Sequence, residues 1–208
     1  MNTPTTPFYH LDSKTMDACE LDDHADSNAL KKLVCPDCYE LKRENIPIDV
    51  RLSERIIKDA PLNFVVDLLI GVARRGFLDI FGKEIVDRDL YIGKVLGPDG
   101  KQIDDWVTFR GRQPLMVRGS RHFGNRTCKV CGRNAYFAMG KRFIFPSPPI
   151  DATIFESNRR GLVIPSSLFE RIDMTKYRRK FNIENLHIPT EPPDGFGILN
   201  YSENQKND

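Results

Sequence analysis

The sequence lacks any run of about 18 consecutive apolar residues, the length a bilayer-crossing helix needs. Its opening residues, MNTPTTPFYHLD, lack the basic-then-apolar order of a secretory signal. A cytoplasmic protein is therefore expected, with no membrane partner. Catalytic signatures are missing too. There is no phosphate-binding loop, no H-E-x-x-H, no G-x-S-x-G and no dinucleotide glycine fingerprint. Gly97-Pro98-Asp99-Gly100-Lys101 has the composition of a phosphate loop but reads as a turn. Histidine is scarce and scattered, at His10, His24, His122 and His187. No residue set suggests an enzyme.

What is present is enough for a core. The chain has 208 residues, 40% of them apolar, with thirteen Phe, which argues against wholesale disorder. The net charge of +2 hides a polarised distribution. Asp12 to Asp26 holds six acids against Lys14 alone. From Trp106 to Phe143 there is no acid, while Arg110, Arg112, Arg118, Arg121, Arg126, Lys129, Arg133, Lys141 and Arg142 are all basic.

Along the chain, Phe8 to Leu11 reads as a short strand and Ile46 to Leu52 as an edge strand interrupted by Pro47. Ser53 to Lys58 reads as the start of a short helix. Leu62 to Val72 is apolar throughout, so periodicity does not separate helix from strand. Phe77 to Phe81 followed by Gly82 predicts a helix end. Tyr91 to Leu96 and Ile103 to Phe109 predict a hairpin around Pro98-Asp99-Gly100. Leu115 to Val117 is a further strand, and Ala135 to Met139 with Arg142 to Phe145 a second hairpin turning at Gly140-Lys141. Pro146 to Pro149 is a rigid connector. Leu162 to Ile164 then predicts a strand and Ser166 to Ile172 a helix. The fold class expected is α+β, one domain over residues 1–190, with an extended and partly mobile tail at 191–208.

Five cysteines is an odd count, but four of them form two C-x-x-C pairs, Cys35/Cys38 and Cys128/Cys131. In a reducing compartment such pairs read as metal ligands before disulfides. Two intervening residues let both thiolates of a pair face one tetrahedral ion, and four thiolates leave no open position for catalysis. The expectation is one structural Zn2+ shared by Cys35, Cys38, Cys128 and Cys131. Two unclosed pairs, or reduced thiols without metal, are the other arrangements the spacing allows.

The knuckles also mark a repeat. Cys35 precedes Cys128 by 93 residues, and Val72 to Ile80 precedes Ile164 to Ile172 by 92. Both nine-residue segments place an aliphatic residue five positions before a Phe and an Ile three positions after it. Two pseudo-repeated, strand-rich halves, 30–97 and 104–188, would then be joined by the shared metal. Coincidence is the alternative, because apolar spacings recur often.

The basic segment 106–143 supports three readings: a solvated face, a surface for an acidic protein, or a nucleic-acid surface. In the last two, Arg110, Arg112, Arg118, Arg121, Arg126 and Arg142 would be the partner-binding residues. Interleaved aromatics would supply stacking faces for nucleic acid.

The segment Phe8-Tyr9-His10-Leu11, the knuckle Cys35-Pro36-Asp37-Cys38, the knuckle Cys128-Lys129-Val130-Cys131-Gly132-Arg133 and the late Gly161-Leu162-Val163-Ile164 strand together resemble the double-CxxCG family of bacterial proteins. The likeness runs over residues 8 to 190. It departs at Tyr39, where the motif has Gly after the first pair. The resemblance implies a non-catalytic immunity protein of a polymorphic toxin or contact-dependent inhibition system, neutralising a cognate toxin by direct binding. The competing reading is a zinc-knuckle nucleic-acid-binding protein using the basic segment.

Overall fold

Gly97-Pro98-Asp99-Gly100 turns the chain as its composition requires. Gly100 takes a φ of 77°, its N–H reaches the Gly97 carbonyl, and Asp99 Oδ1 accepts from Lys101 N at 3.0 Å. The computed structural model describes residues 7–14, 35–37, 47–52, 61–64, 70–115, 117–131, 134–144, 153–157 and 161–189. Within these the strands are β1 (Phe8–Ser13), β2 (Val50–Arg51), β3 (Leu62–Phe64), β4 (Gly71–Arg74), β5 (Leu90–Leu96) and β6 (Gln102–Gly111). They continue as β7 (Pro114–Leu115), β8 (Val117–Thr127), β9 (Asn134–Ile144), β10 (Phe155–Ser157), β11 (Leu162–Pro165) and β12 (Phe181–Leu186). The helices are short: α1 (Arg75–Leu78) with a 3-10 turn at Asp79–Phe81, α2 (Lys83–Asp89), α3 (Ser166–Phe169) and α4 (Met174–Tyr177). The fold is α+β and strand-rich.

Two five-stranded sheets run β12-β1-β11-β10-β7 and β2-β5-β6-β4-β3, and β8–β9 forms a separate ribbon. The main core lies between the sheets. Leu11, Leu162, Ile164 and Phe181 of the first sheet meet Leu62, Ala73, Leu90, Val107 and Phe109 of the second, with Phe77, Leu78, Phe81, Val86, Leu168 and Ile172 from the helical segments. The Phe77 ring touches Phe81, Tyr177 and Phe181, so residues from both halves of the chain share one aromatic cluster. The opposite face of the first sheet is covered by the base of the ribbon. Phe8, Phe155, Val163 and Leu186 pack there against Val117 and Ile144.

The two sheets are assembled alike. In each, a strand leading into a helix lies beside a central strand, and the strand that follows the next helix lies on its other side, all antiparallel. Ala73 and Lys94 flank Val107, while Ile164 and Asn185 flank Tyr9, a spacing of 21 residues in both cases. A parallel neighbour joins the later flanking strand in each: β2 beside β5, and Phe143 beside His187 just past β12. Each central strand comes from the other half of the chain. β6 opens the second half yet completes the first half's sheet, and β1 does the converse.

The sequence comparison placed Val72 opposite Ile164. Both are indeed in strands that enter helices, but Ala73 occupies the place of Ile164, because these two face the shared core. A slip of one residue reverses the face of every side chain in a strand. The expected turn at Gly140-Lys141 is also corrected. β9 runs unbroken through it, and Gly140 (φ 72°) sits in a register shift between Gly119/Arg142 and Arg121/Met139. One glycine in the left-handed region absorbs an extra residue as a bulge instead of reversing the chain. Helix α3 stops at Phe169, short of Ile172, and a second helix, α4, is capped by Asp173, which accepts from Thr175 N at 2.9 Å. The edge strand at 46–52 narrows to Val50–Arg51. The helix start at Ser53–Lys58, the Pro146–Pro149 connector and the tail 191–208 lie outside the described residues.

Asp89, at the end of α2, ties this helix to the entry of β10. It is only 4% exposed. It accepts from Arg88 Nε at 2.7 Å, from Ile154 N at 3.0 Å and from the Thr153 hydroxyl, while its own carbonyl accepts from Arg112 N at 2.8 Å.

Candidate metal centre

Each knuckle is positioned by a turn. Cys35 enters the turn at Pro36–Asp37, and Cys128 to Cys131 form the turn that joins β8 to β9. The ribbon places the second turn against the first, although 93 residues separate Cys35 from Cys128. Their sulfurs are 3.7 Å apart, and the Sγ atoms of Cys35, Cys128 and Cys131 all lie within 4.8 Å of one another. Cys35 and Cys128 are buried and Cys131 is exposed. Cys38, the fourth expected ligand, lies outside the described residues.

The donor set suits a thiophilic ion. Tetrahedral zinc with Zn–S near 2.3 Å holds its sulfurs about 3.8 Å apart, close to the observed Cys35–Cys128 separation. The Cys128 thiol donates to Asp37 Oδ2 at 3.2 Å. Backbone N–H groups, Cys131 first, pull its pKa down, but burial, the Asp37 carboxylate and the Cys131 thiol outweigh them, and the balance is upward. A thiol held protonated must release that proton to a metal, so uptake is coupled to pH. Asp37 carries no signal of its own in the sequence, although it contacts Cys128 in the fold. It sat inside the first knuckle as a spacer, and only the approach of the second knuckle gives it a role.

The basic segment divides. Arg110 is buried, with its guanidinium 3.5 Å from Glu156, and Arg118 is buried in β8. Arg142 pairs with Glu184 across β9 and β12. Arg112 is exposed and lies over the Tyr91 ring at 4.0 Å. Arg121 and Arg126 lie on the backbone of β8, and their side chains are outside the described residues. Four of the six thus make contacts within the protein or lie in its interior, and of these Arg112 alone is exposed. Beside the metal centre, Val130 is 62% exposed, the single large hydrophobic residue so exposed among the described residues.

No helix among the described residues is long and apolar enough to cross a membrane. No protein-family model matches the chain, and neither curated proteins nor solved structures give a match.

Proposed function

We propose that the protein is a non-catalytic cytoplasmic binding protein, an immunity protein that neutralises a cognate bacterial toxin, with its fold closed by one structural zinc on Cys35, Cys38, Cys128 and Cys131. The observation that carries this reading is the gathering of three cysteines from two turns that are remote in sequence. Double knuckles are also the most specific part of the resemblance to double-CxxCG proteins. An exposed Val130, between exposed Lys129 and Cys131 on a turn braced by metal, is a rigid apolar point of the kind protein partners bury.

The zinc-knuckle nucleic-acid reading depends on cations that the fold partly consumes, since Arg110 and Arg118 are buried. Filter binding against mixed DNA and RNA separates the two. We expect weak binding that vanishes at moderate salt, because Arg110 and Arg118 are buried away from phosphates and only loosely held surface cations would be left to contact them. Tight binding that survives moderate salt would replace the immunity reading with the nucleic-acid one. For the favoured reading, co-purification from the native host should recover a toxin domain whose activity the pure protein suppresses in trans, and Val130→Glu should weaken the complex.

The duplicated halves belong to the same proposal. The equal 21-residue spacing and the matching parallel neighbours support an ancestral unit whose leading strand crosses into its partner. In that picture the turn from β5 to β6 corresponds to the unlinked ends of β12 and β1, where Leu186 lies opposite Phe8. A permutant joining Ile188 to Pro7 through a short turn, and opened between Asp99 and Gly100, should fold cooperatively and bind one metal. Failure to unfold in a single transition by circular dichroism would count against the equivalence.

A further inference from the structure

On the first sheet's ribbon-facing side, apolar packing gives way at His10. Beyond Phe8 and Leu186, a cavity of about 440 Å³ is lined by His10 and Asp12 of β1, Asn182, Ile183 and Glu184 of β12, and Arg142 of β9. Strand register builds it. His10 lies opposite Glu184 and Asp12 opposite Asn182, and alternate residues of a strand share a face. His10 is buried over Gly161, where an added Cβ would come within 2.4 Å of its Nε2.

The corresponding place in the second sheet is filled. Gly93 lies opposite Thr108 there as Glu184 lies opposite His10. A Cβ on Gly93 would approach the Ile48 carbonyl oxygen to 2.4 Å, and that carbonyl accepts from the Thr108 hydroxyl. Main chain thus seals one sheet face directly. Glu184 in the place of Gly93 forbids the same close approach in the other sheet, and a polar cavity stands where its counterpart has backbone.

We propose that this cavity binds an organic cation, a guanidinium or alkylammonium group of the size of an arginine or lysine side chain. Asp12 and Glu184 set two carboxylates against the one guanidinium of Arg142 on the lining, beside the His10 imidazole. A metal ion fits poorly. The imidazole and the two carboxylates do not draw within 4.8 Å of one another as the three cysteine sulfurs do. A planar guanidinium spreads five N–H donors and can bridge acceptors too far apart for one ion. Arg142 and Glu184 are 26% and 30% exposed, so their pair is open enough to solvent for a ligand to compete with it. The volume falls within the range of small-molecule sites.

The cation has two conceivable sources, a free metabolite or a side chain presented by a bound polypeptide. The full-length, metal-loaded protein is titrated calorimetrically with ethylguanidinium and with N-acetyl-arginine-N-methylamide, with acetate as the anionic control. Both cations should bind saturably and acetate should not. Tighter binding of ethylguanidinium points to a free ligand, and tighter binding of the blocked arginine to a polypeptide. Asp12→Asn should weaken binding about tenfold, the scale of one charge-assisted hydrogen bond. Asn182→Trp, at an exposed position, should block the cavity with every charge intact and the melting temperature unchanged. No saturation by either cation up to about 50 mM would overturn the proposal. So would wild-type affinity in the Asn182→Trp protein.

Discussion

Replacing Cys35 or Cys128 by Ser should abolish stoichiometric metal binding and unfold the protein at ambient temperature. The two sulfurs are buried 3.7 Å apart and belong to turns 93 residues from each other, so one ion at this point closes a very long loop of chain. Structural zinc contributes about 10–16 kcal/mol apparent in small peptides at neutral pH, and a domain of this size has only about 5–15 kcal/mol in total. Losing such an ion would therefore remove most or all of the margin. Cys131→Ser should lose metal as well, but its exposed position adds no packing loss. Metal analysis of the freshly purified protein, followed by thermal melts with and without a chelator, reads both effects. Cobalt substitution then counts ligands. If Cys38 completes the site, thiolate-to-cobalt charge-transfer intensity should fall by one ligand's share in Cys38→Ser and the tetrahedral ligand-field bands should remain. Wild-type melting in both Cys35→Ser and Cys128→Ser would mean reduced thiols with no shared ion.

The gathering of Cys35, Cys128 and Cys131 was legible because ligand spacing is a local property and the redox argument needs no coordinates. The β5–β6 hairpin was legible for a similar reason, since Pro98-Asp99-Gly100 specifies its own backbone. Elsewhere the signal was weak. Val117–Thr127 reads V-R-G-S-R-H-F-G-N-R-T, with too few alternating apolar residues to announce an eleven-residue strand. Its partner strand and the contact between the two cysteine turns hold it, and those are long-range facts. The helix at Ser166 was expected and its start is where the sequence puts it, but four residues span barely one turn, too little for a hydrophobic pattern to show where Ser166–Phe169 ends or that Met174–Tyr177 forms a second helix. Gly140 was read as a turn because turns and bulges call on the same positive φ. The burial of Arg110 was hidden for a different reason. Its partner Glu156 lies on a strand that the sequence reading did not place beside β6.

The strand exchange bears on how such a chain holds together. Neither half supplies its own central strand, so each sheet requires both halves. The aromatic cluster around Phe77 and the cysteine turns then bring residues remote in the chain together at two places, one through apolar packing and one through three cysteine sulfurs that could share an ion. That arrangement favours a single cooperative unit over two independent domains. It also explains why the knuckles can lie so far apart in sequence.

Asp89→Ala should be the most damaging single substitution away from the cysteines, costing about 3 kcal/mol, the scale set by losing hydrogen bonds to a charged group and leaving buried donors unmet. The carboxylate receives Ile154 N–H at 3.0 Å, the Thr153 hydroxyl and the Arg88 guanidinium, and it is almost inaccessible to solvent. Removing it strands the Ile154 N–H and the Thr153 hydroxyl at the entry of β10. Asp89→Asn should cost less, because an amide oxygen still accepts from Ile154, although its NH2 group then faces the guanidinium. The pH dependence has a definite sign. Burial alone would raise the Asp89 pKa, but hydrogen bonds from Arg88, Thr153 and Ile154 and the charge of Arg88 together bring it below the ordinary carboxylate value. A folded-state pKa below the unfolded one means the contribution is complete above the unfolded value, near pH 4, and is lost as pH falls through the folded value. Denaturant melts of wild type and Asp89→Ala should therefore differ by a constant amount around neutrality and converge in acid. A gap that stayed constant below pH 4 would show that Asp89 acts by packing alone, and one that widened would reverse the sign of its linkage.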